Sequence, residues 1–193
     1  MADPAHDLQQ PSDWVRRFAP LIAPGGRVVD VACGNGRHAR LLAACGHSVV
    51  AVDRDRAALE ALRGIDRVEV RVADIESRPW PFAPETFDGV VVTNYLWRPL
   101  LADLAAALRA GGVLIYETFA LGNERYGRPA NPEFLLRRNE LLEWLAPQLQ
   151  LVAFEQGIVS SPRPAVVQRI CAARQPRDWV VLPGDSPAVR QDV

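Results

Sequence analysis

Apolar positions along this chain follow two periods, and the period changes from segment to segment. Val28-Val29-Asp30-Val31, Ser48 to Val52, Phe87 to Thr93 and Val113 to Phe119 are short, nearly continuous apolar runs rich in β-branched residues. Such runs predict strands buried on both faces of a sheet. Arg67 to Val72, RVEVRV, alternates instead and predicts a strand with one solvated face near a sheet edge. Helical spacing fills the intervals. Ser12 to Ile22 presents Trp14, Val15, Phe18 and Leu21 or Ile22 as a stripe, with Ser12 or Asp13 as cap and Pro24-Gly25-Gly26 as stop; this helix is expected to cover one edge of a ligand site. A second helix starts near Arg37, and a third follows Asp53 with Asp55 as its cap. Pro99, Leu100, Leu101, Leu104 and Leu108 predict an amphipathic helix ending at Gly111-Gly112, and Arg138 to Ala146 predicts another. Leu149 to Phe154 and Val166 to Ala173 read as a closing hairpin. Ser77 to Thr86 holds three prolines and predicts an ordered loop in place of a crossover helix. Ala120 to Glu133 is polar, with two glycines and two prolines, and is long enough to act as a lid.

The strand, turn and helix from Arg27 to Leu42, RVVDVACGNGRHARLL, carry the first candidate chemistry. Gly34 and Gly36 permit positive φ and close approach of a ligand, and the following helix directs its first N–H groups at the turn, where an anionic group is stabilised. Gly34 to Ala39 also fits the GxGxxG/A dinucleotide pattern, so this turn alone leaves the ligand open. Three acids then end successive predicted strands. Asp30 sits four residues before Gly34, where it can accept hydrogen bonds from a cationic amino group; Asp53, 19 residues after Gly34, stands at the offset of a ribose-binding acid; Asp74 precedes Ile75 at the end of the third strand. Each has a plainer reading as a cap or loop residue. Together they point to one ligand laid across the strand ends.

This run of motifs resembles the class I S-adenosylmethionine-dependent methyltransferases, with Ala32 where many members have the first glycine. The resemblance spans roughly Arg27 to Ala173 and is nearest to small bacterial methyltransferases of the tellurite-resistance type. It implies an α/β, Rossmann-like fold: a seven-stranded, mostly parallel sheet with an antiparallel last strand and helices on both faces. It implies S-adenosylmethionine as cofactor, with Asp30, Ala32, Cys33, Gly34, Asn35, Gly36, Asp53, Arg54, Asp74, Ile75 and Asn94 around it. The Asp53 carboxylate would hold the ribose hydroxyls, and Asp74 with Ile75 the adenine. Trp80 and Phe82 either pack near the adenine or close the core. The hexapeptide Asn94-Tyr95-Leu96-Trp97-Arg98-Pro99 departs from the NPPY sequence of adenine-N6 methyltransferases, which disfavours DNA adenine as acceptor. A small-molecule acceptor is expected between this segment and the lid, touching Tyr95, Trp97, Arg98, Tyr126 and Arg128. Where the acceptor needs a base, Tyr95, Glu117 or Glu124 would supply it; a soft anion needs none. Glu117 either points into the site or pairs with an arginine at its rim. His38 and His47 are poor candidates for catalysis, lying on or at the end of the second helix.

Composition narrows this picture. All 22 basic residues are arginine, which excludes Schiff-base chemistry, and the formal net charge of −1 gives no overall attraction to nucleic acid. An RNA or protein acceptor would require a local rim formed by Arg98, Arg125, Arg128, Arg137 and Arg138. A non-catalytic nucleotide-binding module is the alternative from another class, against which Asp30 speaks. Cys33, Cys45 and Cys171 have no CxxC spacing, so reduced structural thiols are expected, with no metal site. No apolar run approaches bilayer length, and Met1 to Asp13 lacks the basic start and apolar middle of a signal peptide, so a cytoplasmic monomer or homodimer is the expectation. The 193 residues suit one domain over 1–175, including the helix at 12–22. The tail at 176–193 is rich in proline and charge and reads as poorly ordered, apart from Trp179-Val180-Val181-Leu182, whose apolar side chains invite packing against the domain.

Overall fold

A computed structural model of the chain describes residues 10–176 and 178–183. Its strands are β1 (Arg27–Val31), β2 (Ser48–Asp53), β3 (Val68–Val72), β4 (Phe87–Thr93), β5 (Leu108–Phe119), β6 (Gln150–Val159) and β7 (Ala165–Ala173). They form one seven-stranded sheet in the order β3-β2-β1-β4-β5-β7-β6. Strands β1 to β5 pair in parallel, and β7 runs antiparallel to both neighbours, as the resemblance implied. The apolar runs account for the centre: β1 and β4 lie between other strands, so both of their faces must be covered.

Among the described residues, five α-helices flank the sheet: α1 (Asp13–Phe18), α2 (Arg37–Ala44), α3 (Arg56–Glu60), α4 (Leu101–Ala107) and α5 (Glu140–Leu145). Alternation along the strands sorts the side chains into two cores. Val29 and Val31 join Leu104, Leu141 and Leu145 on one face, while Val28 joins Trp14, Phe18, Ala39 and Leu42 on the other. Ser12 caps α1 through its side chain, and the Trp14 indole N–H donates to the Ile170 carbonyl at 3.3 Å, docking the helix against β7. Asp55 caps α3 by accepting from Ala57 and Ala58, leaving Asp53 to other partners.

The boundaries differ from the sequence expectation in two places. Leu108 belongs to β5 and not to the preceding helix: it pairs with Phe87 across a register shift, and α4 stops at Ala107. The Arg174 guanidinium takes the Ala106 and Leu108 carbonyls at 2.8 and 2.7 Å, satisfying the helix end from just beyond β7. Strand β6 runs to Val159, beyond the expected Phe154, because its continuous pairing with β7 carries polar and exposed residues that have no apolar signature. The link from residue 77 to 86 has no helix, and Trp80 and Phe82 pack on the core and edge-to-face with each other, closing the core. Trp179 is 86% exposed, so the 179–182 run does not pack back on the sheet. Residues 177 and 184–193 of the expected tail, like Met1 to Gln9, lie outside the described residues.

Candidate active site

The glycine turn joins β1 to α2 at the carboxyl end of the sheet. Gly34 and Gly36 take φ of 54° and 72°, and Ala32 is held at 52°, a region unfavourable for any side chain. The two glycines have different reasons to be there. A Cβ on Gly34 would meet nothing within 4 Å, whereas one on Gly36 would meet the Leu62 side chain at 2.4 Å. Gly34 leaves space for a ligand, and Gly36 lets α2 pack down on its neighbour.

Asp30 corrects the sequence reading. It is 1% exposed, lines none of the cavities, and accepts the Ala39 N–H at 2.9 Å. Gly36 is the N-cap of α2 and has no side chain with which to cap it, so Asp30 satisfies the first turn from beneath. Burial raises its pKa to about 7, against the lowering effect of that hydrogen bond and of Arg37. Beside it, His38 is 1% exposed and burial lowers its pKa to about 3. Its Nε2 accepts from the Ser12 N–H at 3.1 Å, so the proton is on Nδ1, 3.2 Å from the Thr93 hydroxyl. This neutral imidazole fastens the N-terminal segment to the end of β4.

Three adjoining cavities run along the strand ends. The smallest, about 210 Å³, is lined by Ala32, Asp53, Arg54, Ala73, Asp74, Ile75, Glu76 and Tyr95. Asp53 accepts from Gly34 N–H at 2.8 Å and Asp55 N–H at 2.9 Å, one bond on each oxygen, which leaves a lone pair on each facing outward. Asp74 accepts from the Ser77 hydroxyl at 2.6 Å, and this bond, with backbone bonds, holds its carboxyl below the usual range. Tyr95 is removed as a base: burial, reinforced by the neighbouring Glu76 carboxylate, pushes its phenol well up.

The largest cavity, about 1020 Å³, includes Ala32, Cys33, Gly34, Asn35, Thr93 and Asn94, and beyond them Arg128 and Phe134 from the long loop. Burial raises the Cys33 thiol, so it stays protonated. A third cavity, about 480 Å³, is walled by Gln10 to Asp13, Glu117, Phe119, the β6–β7 turn and Arg169. Asn94 lies between the two, at φ 55° with its N–H on the Glu117 carbonyl. Both alternatives for Glu117 hold at once, since it faces the cavity and pairs with Arg169 at 2.5 Å.

Three expected acceptor contacts are corrected. Arg98 binds Glu140, at 2.7 Å from Nε, and the Glu133 and Leu135 carbonyls, because the fully buried Glu140 carboxylate needs a counter-charge. Burial alone would raise Glu140, but the Arg98 hydrogen bonds and the Arg137 N–H outweigh it and the pKa ends below normal. Trp97 packs against the core, and Tyr126 is 41% exposed and lines no cavity. Arg128 alone of the loop candidates reaches the site, because Asn123 pins the loop by donating to the Pro129 carbonyl and accepting from the Val166 N–H.

Residues 28–112 match the family described as "Methyltransferase domain". A tRNA U34 carboxymethyltransferase from Methylococcus capsulatus is 31% identical over 151 residues, which cover 67% of this chain and 47% of that protein. The chain belongs to the class I methyltransferases. A demethylmenaquinone methyltransferase from Clavibacter sepedonicus is 35% identical over 114 residues, covering 54% of this chain and 45% of that one. The chain thus spans about half the length of the curated relatives it matches. TehB from Haemophilus influenzae shares the fold at a TM-score of 0.69 and 19% identity, over 84% of this chain and 61% of that one. S-adenosylmethionine is the cofactor of this methyltransferase family. The open space over Gly34 and the outward lone pairs of Asp53 fit it.

Within this methyltransferase site the sequence reading missed Arg37, Arg40, Phe119, Phe134, Arg163 and Arg169. For Arg163 a signal existed. An antiparallel last strand beside β5 forces the turn before it to the carboxyl end of β5, beside the two larger of these cavities.

Proposed function

We propose that this chain transfers the methyl group of S-adenosylmethionine to a small molecule enclosed between Asn94, the N-terminal segment at 10–13, the 128–134 loop and the β6–β7 turn. The observation that supports it is the 480 Å³ cavity beside Asn94 and Glu117, walled by five separate segments and of a size that suits an organic ligand. When bound, the cofactor would supply an electrophilic methyl to the acceptor's lone pair and leave as S-adenosylhomocysteine, and Glu117 or water would take a proton from the acceptor atom. In this reading Asp53 holds the ribose diol, Asp74 and Ile75 the adenine, and the turn at residues 32–36 the amino-acid end. Asp30 works from below, fixing α2 and with it the turn. Thr93, Asn94 and Phe119 position the acceptor and exclude water, which is where alignment of an in-line displacement gains its rate.

The test is transfer of labelled methyl from S-adenosylmethionine to a deproteinised metabolite extract and, in parallel, to total RNA. Label in the metabolite fraction is the expected result. Efficient, salt-sensitive labelling of RNA would overturn the reading, since that behaviour belongs to a surface gripping a phosphate backbone. The rim such a surface would need is weakened by Arg98 and Arg137, which are both engaged with Glu140.

A further inference from the structure

The charges of the site are segregated. At the 210 Å³ end, Asp53, Asp74 and Glu76 face one arginine, Arg54. The two larger cavities share Arg37, Asn94, Phe119 and Arg163, and their walls carry Arg37, Arg40, Arg128, Arg163 and Arg169 against Asp13 and Glu117. Glu117 is already held by Arg169 at 2.5 Å. Among the described residues, the 1020 Å³ cavity has no acid in its lining. The cofactor does not offset this, because its sulfonium and ammonium charges exceed its one carboxylate and it enters with a net positive charge. An anionic group in this space would balance that excess.

We propose that the acceptor is an organic anion, its carboxylate or phosphate held by Arg128 and Arg163 and its apolar body lying on Phe119 and Phe134. This rests on the small-molecule reading above. Among the described residues, the arginine ion pairs engage neither Arg128 nor Arg163. Arg163 donates to the Arg128 carbonyl at 3.2 Å, which ties the two loops together, and its guanidinium lies 5.9 Å from the Phe119 ring centre. A guanidinium has five donors in a planar fork that matches an oxyanion, so one backbone bond leaves the rest to a ligand. Phe134, 49% exposed, stands in the same cavity wall as Arg128. An exposed aromatic beside unpaired guanidinium groups suits a ligand with an anionic end and an apolar body, and the cavity is far larger than a bare inorganic oxyanion fills.

The binding test uses the full chain saturated with S-adenosylhomocysteine and four probes: benzoate, phenyl phosphate, benzamide and benzyl alcohol. Calorimetry should show at least one of the two acids binding tenfold or more tighter than either neutral analogue, and which acid binds identifies the oxyanion. In the Arg128→Gln/Arg163→Gln double variant that preference should fall to within twofold, with S-adenosylhomocysteine affinity within threefold of wild type. Equal binding of benzamide and the acids, no binding of either acid, or an unchanged preference in the double variant would each overturn the proposal. The labelled metabolite products separate the two readings. Label retained on an anion exchanger supports both; label in neutral or cationic metabolites overturns the anion and leaves the small-molecule reading intact; label in RNA overturns the small-molecule reading itself.

Discussion

Replacing Asp30 with asparagine isolates a buried charge whose role is to hold the cofactor turn without touching the cofactor. The carboxyl titrates near pH 7 in the folded chain against 3.8 when unfolded. Between those values the native state binds more protons than the unfolded state, so the contribution of Asp30 to stability is greatest below pH 4 and falls as pH rises towards 7. A shift of about three units corresponds to roughly 4 kcal/mol at most. His38 works in the opposite direction. Its folded pKa of about 3 lies below the ordinary 6.5, so the unfolded state binds the extra proton and stability rises with pH across that window. Wild-type curves mix the two slopes, and only the difference between wild type and Asp30→Asn reports the carboxyl. The asparagine oxygen still accepts the Ala39 N–H, but its amide hydrogens lack an evident partner, which costs about 1–3 kcal/mol at every pH. Asp30→Asn should therefore gain about 2–3 kcal/mol relative to wild type between pH 5 and pH 8, since about two units of that span lie below the folded pKa. Urea midpoints at four pH values measure this. A difference that does not change with pH, or cofactor affinity that collapses while stability is preserved, would show that the carboxylate faces the ligand after all.

Arg98→Ala should destabilise the chain by about 3–5 kcal/mol, because it strands the buried Glu140 carboxylate, and adding Glu140→Gln should recover part of the loss; an unchanged melting temperature with lost activity would return Arg98 to the acceptor site. Asp53→Ala should weaken S-adenosylhomocysteine binding by about 1.5–3 kcal/mol in calorimetry, and wild-type affinity would refute the ribose role. Gly34→Ala should cost stability only the ~1–2 kcal/mol of a left-handed alanine while sharply reducing cofactor affinity, whereas Gly36→Ala should cost more stability because its methyl meets Leu62. The reverse ranking of the two variants in denaturant titration would contradict the assignment of one glycine to the ligand and the other to packing.

What could be read from sequence was local. Strands β1 to β5, the glycine turn and the positions of Asp53 and Asp74 at strand ends follow from short apolar runs and the residues that interrupt them. The orientation of Asp30 was half legible. Its parity with Val28 puts it on the face opposite Val29 and Val31, but that this face carries α2, close enough for Ala39 to donate, is a fact of packing. Arg98 was misread because its partner, Glu140, is 42 residues away and sequence spacing cannot bring distant charges together. Leu108 was misread because helix spacing continued through it, while Arg174, beyond the last strand, ended the helix. Of the basic wall only Arg128 was expected; the other members escaped notice because they come from α2, the β6–β7 turn and β7, segments that no single motif spans.

The arrangement around Gly36 explains how one short turn can serve both packing and binding. Since Leu62 leaves no room for a Cβ there, the residue at the N-cap of α2 must be glycine, and a glycine cannot cap. An acid on the preceding strand can, provided it points at the helix and away from the ligand, and Asp30 does so. Its burial raises its pKa to about 7, the consequence of placing a carboxyl where only one N–H answers it. In return the upper side of the turn is released: Gly34 faces empty space, and its own N–H is drawn to Asp53, which fixes that carboxylate against the turn by a 2.8 Å bond. The acid that holds the turn and the acid proposed to hold the ligand therefore sit on opposite sides of the same backbone. A substitution at either should be felt at the other through the turn, with Asp30 read out in stability and Asp53 in affinity.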